Sequence, residues 1–243
     1  FIKILLIAPF VSYSLYIAYW VTTKLEGFYG LTTSALGKTE TLIWFTITLV
    51  VISDLATYLV HLLMHKVPFL WEFHKTHHSA TTLNPITQYR IHPVELIINN
   101  ARHILVFGFV YGVFDYLSDH QIHVVTFLGA NVLTLLFFTW GANLRHSHVK
   151  LTYFNWLERI LISPFQHQIH HSDNPEHFNK NLGSKLAIWD WLFGTLVRSK
   201  ETDHIKFGLG KENSDYKTWF QNLFIPFKKE AQLILKRIRK NNP

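Results

Sequence analysis

Residues 54–65 read DLATYLVHLLMH, and the stretch changes character along its length. It opens inside an apolar run, 42–64, of the ~20 residues that cross a bilayer as a helix. It closes on two histidines four residues apart. On a helix Asp54, Tyr58, His61 and His65 follow the i, i+4, i+7, i+11 rule and share one face. A carboxylate inside a membrane span is costly and marks a functional position. Asp54 lies two turns before His61, too far to share a metal with it. It is read as holding the far nitrogen of a histidine from another segment such as 167–171, with Tyr58 beside it.

Working outward, HKTHH stands at 74–78 and HQIHH at 167–171. Each puts three histidines at i, i+3 and i+4, so two nitrogens can aim at one point and the third at a neighbour. Sixteen histidines in 243 residues is already an excess, and eight of them fall into these three clusters. Without a metal, eight buried imidazoles would need eight sets of hydrogen-bond partners. One ion rarely takes more than about six ligands, so His61, His65, His74, His77, His78, His167, His170 and His171 imply two ions. The chain has no cysteine. Disulfides, thiolate nucleophiles and iron–sulfur clusters are excluded, and any metal is held by nitrogen and oxygen. Such a site suits iron, copper or zinc. NLRHSHVKL (143–151) offers His146 as a ninth ligand. His148, His92 in YRIHPVE (89–95) and His177 are further candidates for a ligand or for supporting one. His103, His120, His123 and His204 are read as ordinary packing or surface histidines.

Charged residues make up 16% of the chain, against about 25% in soluble domains. Aromatic residues also make up 16%, the mean hydropathy is +0.12, and the net charge is +7. This composition fits a membrane protein whose basic surface meets anionic lipid rather than nucleic acid. The first residue is Phe, so a few native residues are expected to precede it. Spans are expected near 2–22, 42–64, 96–115 and 122–142, the last two joined by the tight turn YLSDHQ. The first run lacks the cleavage site of a signal peptide. Lys66, Lys75 and Arg90 lie in 65–95, and the tail ends KRIRK, whereas 116–121 has no Lys or Arg. The positive-inside rule therefore puts 65–95 and the tail on the cytoplasmic side, both HxxHH copies with them. The expected fold is all-α and integral to the membrane. About four spanning helices carry a cytoplasmic helical cap (65–95 and 144–215), and an amphipathic basic tail (216–243) lies at the interface or against the cap. No linker or repeat divides the chain beyond the histidine motif itself.

These motifs, in this order, resemble the fatty acid hydroxylase/sterol desaturase superfamily. DLATYLVHLLMH is similar to that family's Asp-x3-Tyr-x2-His-x3-His segment, FHKTHHS to its second box, and YRIHPVE to its Arg-x-His-Pro-x-Glu stretch. LRHSHV resembles the segment carrying a single histidine. SPFQHQIHHS and NKNLGSKLAIWDWLFGT resemble its last box and its Trp-Asp ending. The resemblance covers about 42–198, with Leu62 standing where an Arg is common. It implies two iron ions that activate O2 to oxidise an unactivated C–H bond, with zinc able to occupy the same nitrogens in purified protein. It also implies an apolar lipid substrate entering from the bilayer. Imidazole suits such oxidising chemistry, and thiolate does not. No flavin, haem or iron–sulfur motif is present, so an external electron-transfer protein is expected. Trp189, Asp190, Trp191, Phe193 and Gly194 are read as a buried aromatic helix end with a glycine stop, Asp190 being a candidate support for a ligand.

The leading expectation is a lipid hydroxylase, and a desaturase or sterol-directed oxidase would use the same residues. A metal transporter or metal buffer is the competing class. A transporter would place its ligands near the bilayer midplane on broken helices, and these clusters lie past the span ends. A scaffold without turnover is disfavoured by the intact set of boxes.

Overall fold

The computed structural model describes residues 2–32, 36–122, 143–202 and 205–241. These residues are helical and contain no sheet; two isolated bridges pair Leu161 with Leu186 and Ser172 with Phe207. Four helices come first: α1 (Ile2–Tyr29), α2 (Lys38–Lys66), α3 (Pro68–His78) and α4 (Pro93–Leu117). Then follow α5 (Pro164–His170), α6 (Ile188–Leu192) and α7 (Trp219–Asn241). Between 143 and 216 the chain forms only short helices and 3-10 turns, so the cap is less helical than expected. Pro, Gly and Asn interrupt it repeatedly, and Asn179 and Asn181 sit at positive φ.

The long helices overrun the apolar cores that announced them, because a helix continues into polar flanks until a stop signal. Gly30, at φ 81°, ends α1 in the left-handed conformation that glycine adopts without a Cβ penalty. Pro68 ends α2. Its ring forces Val67 to an extended backbone (φ −91°, ψ 113°) and then serves as the first residue of α3, where its missing N–H costs nothing. The path from HLLMH to HKTHH is thus a break of one residue between two helices. α2 and α4 are long and apolar enough to cross a membrane, and only 22% of each apolar window is buried in the protein. The core helix of a soluble protein would be mostly buried; helices apolar all round and this exposed match a hydrocarbon solvent. The expected fourth span, 122–142, lies outside the described residues except for Ile122, as do His123 and His204.

The chain divides into two compact units, residues 1–57 with 98–138 and residues 58–97 with 139–243. In the first, Phe45, Leu49, Val110, Phe114 and Ile122 form a buried core. α1 and α4 meet at Gly108 and Gly112, a pair of small residues four apart. A Cβ on Gly112 would lie 2.5 Å from the Ala18 carbonyl oxygen, and one on Gly108 would lie 2.7 Å from the Ser14 carbonyl oxygen. Backbones this close let the Thr22 hydroxyl reach the Gly112 carbonyl at 3.0 Å. Close approach through small residues is how helices associate where no hydrophobic drive operates. The two histidines here behave as packing or surface groups. His103 meets Phe10 edge-on, and His120 bridges Asp115 (2.9 Å) and Glu26 (3.0 Å).

Gly112→Val should lower stability by about 1–3 kcal/mol through overpacking. Detergent-solubilised variant and parent, compared by thermal unfolding, check this; an unchanged midpoint would refute the close approach.

Candidate metal centre

The second unit holds the histidine boxes. α2 contributes His61 and His65 on its last two turns, and α3 contributes His74, His77 and His78. α5 contributes His167 and His170, with His171 as its C-cap. α5 has only seven residues, yet its start is strongly specified. Ser163 caps it, its hydroxyl accepting the Gln166 N–H (3.2 Å) while the Gln166 side chain accepts the Ser163 N–H (2.8 Å). Pro164 follows at the first helical position. The stretch SPFQ is a capping box with proline at N1, and it fixes where the last histidines point.

Nine histidines gather into two groups, within each of which the candidate ligand nitrogens lie within 4.8 Å of one another. His61, His65, His74, His78 and His170 form one; His77, His146, His167 and His171 form the other. The HxxHH motif is divided between them. Its i, i+4 pair goes to one group and its middle histidine to the other, with the roles reversed in the second copy. The two groups are therefore interleaved, and His78 and His171, from different groups, have ring centroids 4.5 Å apart.

Hydrogen bonds on the far side of the rings decide what the inner nitrogens are. His61 Nδ1 lies 2.7 Å from the Leu182 carbonyl, His170 Nδ1 2.9 Å from that of Lys180, and His77 Nδ1 3.3 Å from that of Arg90. A carbonyl only accepts, so each Nδ1 carries the proton and donates it. His146 Nδ1 lies 3.0 Å from the Thr87 hydroxyl, which spends its own proton on the Asn84 carbonyl (2.7 Å) and so also accepts. His74 Nδ1 faces the Glu95 carboxylate at 3.1 Å. In the first four of these rings Nε2 is left as a bare lone pair, while His74 Nδ1 and the Glu95 oxygen beside it make no hydrogen bond. His61 Nε2 and His74 Nε2 lie 3.1 Å apart, and His146 Nε2 lies 3.1 Å from His167 Nε2. His65, His78 and His170 each bury an Nε2 with no hydrogen-bond partner. Buried nitrogens converging in this way suit a cation between them. A proton is a poor candidate, because burial holds His74 down at about 3 and His146 at about 4. His77, His78, His167, His170 and His171 lie well below the ordinary histidine range, through burial first and neighbouring imidazoles second. Two divalent ions, each held by neutral imidazoles, fit this arrangement.

The remaining candidates fall elsewhere. His92 is buried, but both its nitrogens are used: Nδ1 accepts the Val94 N–H (3.1 Å), so Nε2 donates to the Leu223 carbonyl (3.1 Å). Its ring packs on Phe73 and Phe227. His148 is exposed and His177 is buried, and neither belongs to either group. Asp54 is fully buried in the first unit, within electrostatic reach of Arg102. Tyr58 stacks on Phe193 and shares a 3.0 Å hydrogen bond with Thr195. Asp190 supports the site at one remove. Its carboxylate accepts the N–H groups of Leu182 and Gly183, both at 2.7 Å, and so fixes the carbonyl that orients His61. Glu95, which touches His74, was passed over in the sequence although it stands in the quoted YRIHPVE. Its one signal was a carboxylate three residues past a histidine at the start of an apolar helix. A cavity of about 280 Å³ opens onto His65, His78 and His170, walled by Trp71, Phe178 and Leu209, with Lys75, Asp173 and Glu212 also lining it.

The fatty acid hydroxylase family model matches residues 46–195, a stretch that holds all nine histidines. The chain belongs to the fatty acid hydroxylase family. Among curated relatives, the alkylglycerol monooxygenase of Homo sapiens is 28% identical over 174 residues, 70% of this chain and 35% of that protein. The cholesterol 25-hydroxylase of Homo sapiens is 31% identical over 155 residues, 59% of this chain and 47% of its own length. A Delta(7)-sterol 5(6)-desaturase of Gibberella zeae is 28% identical over 150 residues, 62% of this chain and 41% of its own length. The chain thus spans between a third and a half of the length of these relatives. No solved structure matches it. These family members are oxidoreductases of lipids, and the histidine groups fit the binding of iron.

Metal-free protein should lose stability on acidification. His74 and His146 are depressed in the folded state, so the unfolded chain binds more protons between pH 6.5 and about 4. Stability is complete above pH 6.5 and falls by about 1.4 kcal/mol per pH unit for each such histidine as the pH drops through that window. Chelator-treated protein, unfolded by denaturant at a series of pH values, tests the slope; a flat profile would mean the imidazoles are solvated.

Proposed function

We propose that the chain is a membrane-embedded di-iron enzyme that uses O2 to hydroxylate an unactivated C–H bond on a lipid or other apolar alkyl substrate. The observation that carries this reading is the convergence of bare, buried Nε2 atoms in two interleaved groups. His61, His65, His74, His78 and His170 would hold one iron, and His77, His146, His167 and His171 the other. When bound, iron supplies the redox chemistry by which O2 is activated toward a C–H bond. The balance is RH + O2 + 2e⁻ + 2H⁺ → ROH + H2O, so two electrons must come from a separate electron-transfer protein.

The residues around the groups hold and shield. Leu182, Lys180, Arg90 and Thr87 keep the Nδ1 protons on the outer side of the rings, so the inner nitrogens stay available without a proton being lost. Glu95 sets a buried carboxyl group behind His74. Trp71 lies against His65 and His78 and keeps water from that edge. The cavity at His65, His78 and His170 is a route by which a reactant reaches the first group. The desaturase relative supports a second reading, removal of two hydrogens by the same residues. We place the histidine groups on the cytoplasmic side of a multi-pass protein, the Lys/Arg distribution being the support.

Protein from iron-supplied cells should carry two metal ions per chain, by elemental analysis, and His77→Ala should lose metal and turnover. Two ions and full turnover in that variant would overturn the assignment. Lipid mass spectrometry of cells with and without the protein should reveal a product 16 mass units heavier for hydroxylation or two lighter for desaturation. Glu95→Gln should keep the fold while weakening metal retention or activity by about 10–100-fold. Wild-type values would make Glu95 a bystander.

A further inference from the structure

The C-terminal helix α7 has a surface that the oxidative chemistry does not use. Its 23 residues contain six Lys or Arg and a single acid, Glu230. The apolar residues Phe220, Phe224, Ala231, Ile234, Leu235 and Ile238 follow i, i+4, i+11, i+14, i+15 and i+18. They make one stripe roughly 100° wide along the helix. The stripe is open: Phe220 is 67% exposed, Phe224 57% and Leu235 53%. At 100° per residue, Lys228 and Arg239 border it on one side and Arg237 on the other. The polar bonds that attach α7 to the protein leave from the side opposite the stripe. Asn222 takes the Arg90 guanidinium at 3.1 Å, and its carbonyl takes the Thr76 hydroxyl at 3.2 Å. Lys229 pairs with Glu212 (2.7 Å) and Asp215 (3.0 Å), and Glu212 also pairs with Lys75 (2.9 Å), one turn from His78. Phe227 lies within the stripe and is its one anchored residue, meeting Phe73 and His92. α7 is thus strapped to the helix of the second histidine box while Phe220, Phe224, Ile234, Leu235 and Ile238 stay exposed.

We propose that α7 is a docking surface for anionic lipid headgroups: it lies in the plane of the membrane surface, with the stripe in the acyl boundary and the flanking cations on acidic lipids. The charge complementarity identifies the partner. A helix that buried this stripe against protein would not border it with cations on both sides, whereas interfacial helices combine a bulky apolar face with Lys and Arg. Docking would hold Thr76, Arg90 and Lys75, and through them the 74–78 box, at a fixed height over the membrane surface. The inference is independent of the metal's identity and of the reaction.

The chain has no cysteine, so single positions can be labelled in it. Phe224→Cys and Leu235→Cys probe the stripe, and Lys236→Cys, on the opposite side, is the reference. Each would carry an environment-sensitive fluorophore in phosphatidylcholine nanodiscs with and without phosphatidylglycerol, with thermal unfolding confirming the fold. Brominated acyl chains should quench the labels at 224 and 235 severalfold more than at 236, and phosphatidylglycerol should strengthen the effect. Replacing Lys228, Arg237 and Arg239 together by Gln should remove the phosphatidylglycerol dependence. Equal quenching at all three positions would overturn the proposal. So would stripe labels shielded from both brominated lipid and an aqueous quencher, since that pattern means a second protein copy covers the stripe.

Discussion

Nine neutral imidazoles turned inward set the terms for the rest of this protein. A buried nitrogen lone pair without a partner is costly, and His65, His78 and His170 each present one. Cations at the two foci would relieve that cost, and for His61, His77, His146 and His170 an outer partner settles where the proton sits. Every well-specified local feature of the second unit serves one of these needs. The Val67–Pro68 break turns α3 back so that its histidines meet those of α2. The capping box at Ser163 starts α5 in the right phase. Asp190 clamps the chain at 182–183, where a Cβ on Gly183 would meet the Asp190 carboxylate at 2.7 Å. A residue there must be glycine for the clamp to close.

Interleaving adds a second constraint. Because each HxxHH copy contributes to both groups, one short helix places nitrogens in two groups at once. Moving α3 to suit one group displaces a histidine of the other. The same sharing keeps the two groups close, as the proposed di-iron chemistry would need.

Much of this was legible before any coordinates. The i, i+3, i+4 spacing allowed a split of each triplet, since residues four apart lie about 40° apart around a helix while the middle one is offset by about 60–100°. Apolar runs placed α2 and α4, although polar flanks, Gly30 and Pro68 decided where helices stop. Other readings did not carry through. His92 stood beside the grouped histidines in the sequence, but both its nitrogens are spent on backbone groups. Asp54 shares the helical face of His61 and His65, and a carboxyl the sequence reading did not single out, Glu95 from another helix, lies beside His74. Helical phase says which residues of one segment face the same way; it says nothing about which segment arrives opposite. The cap from 143 to 216 was the least legible part, because its order comes from buried carboxylates such as Glu158 on Ser163 and Ser199, not from any period.

Three of the outer partners that orient the rings, the carbonyls of Leu182, Lys180 and Arg90, belong to the backbone. Toward the rings their side chains are irrelevant, since any residue compatible with the local path would present the same oxygen. What the side chains do elsewhere still constrains them, Leu182 being fully buried and the Arg90 guanidinium holding Ser79 and Asn222, but for the rings it is the spacing that counts. One residue inserted or removed between 180 and 190 would shift the Leu182 and Lys180 carbonyls relative to each other and so disturb two rings of the same group, His61 and His170. Relatives that differ widely in sequence here should still keep the same number of residues from the last histidine box to the Trp-Asp pair.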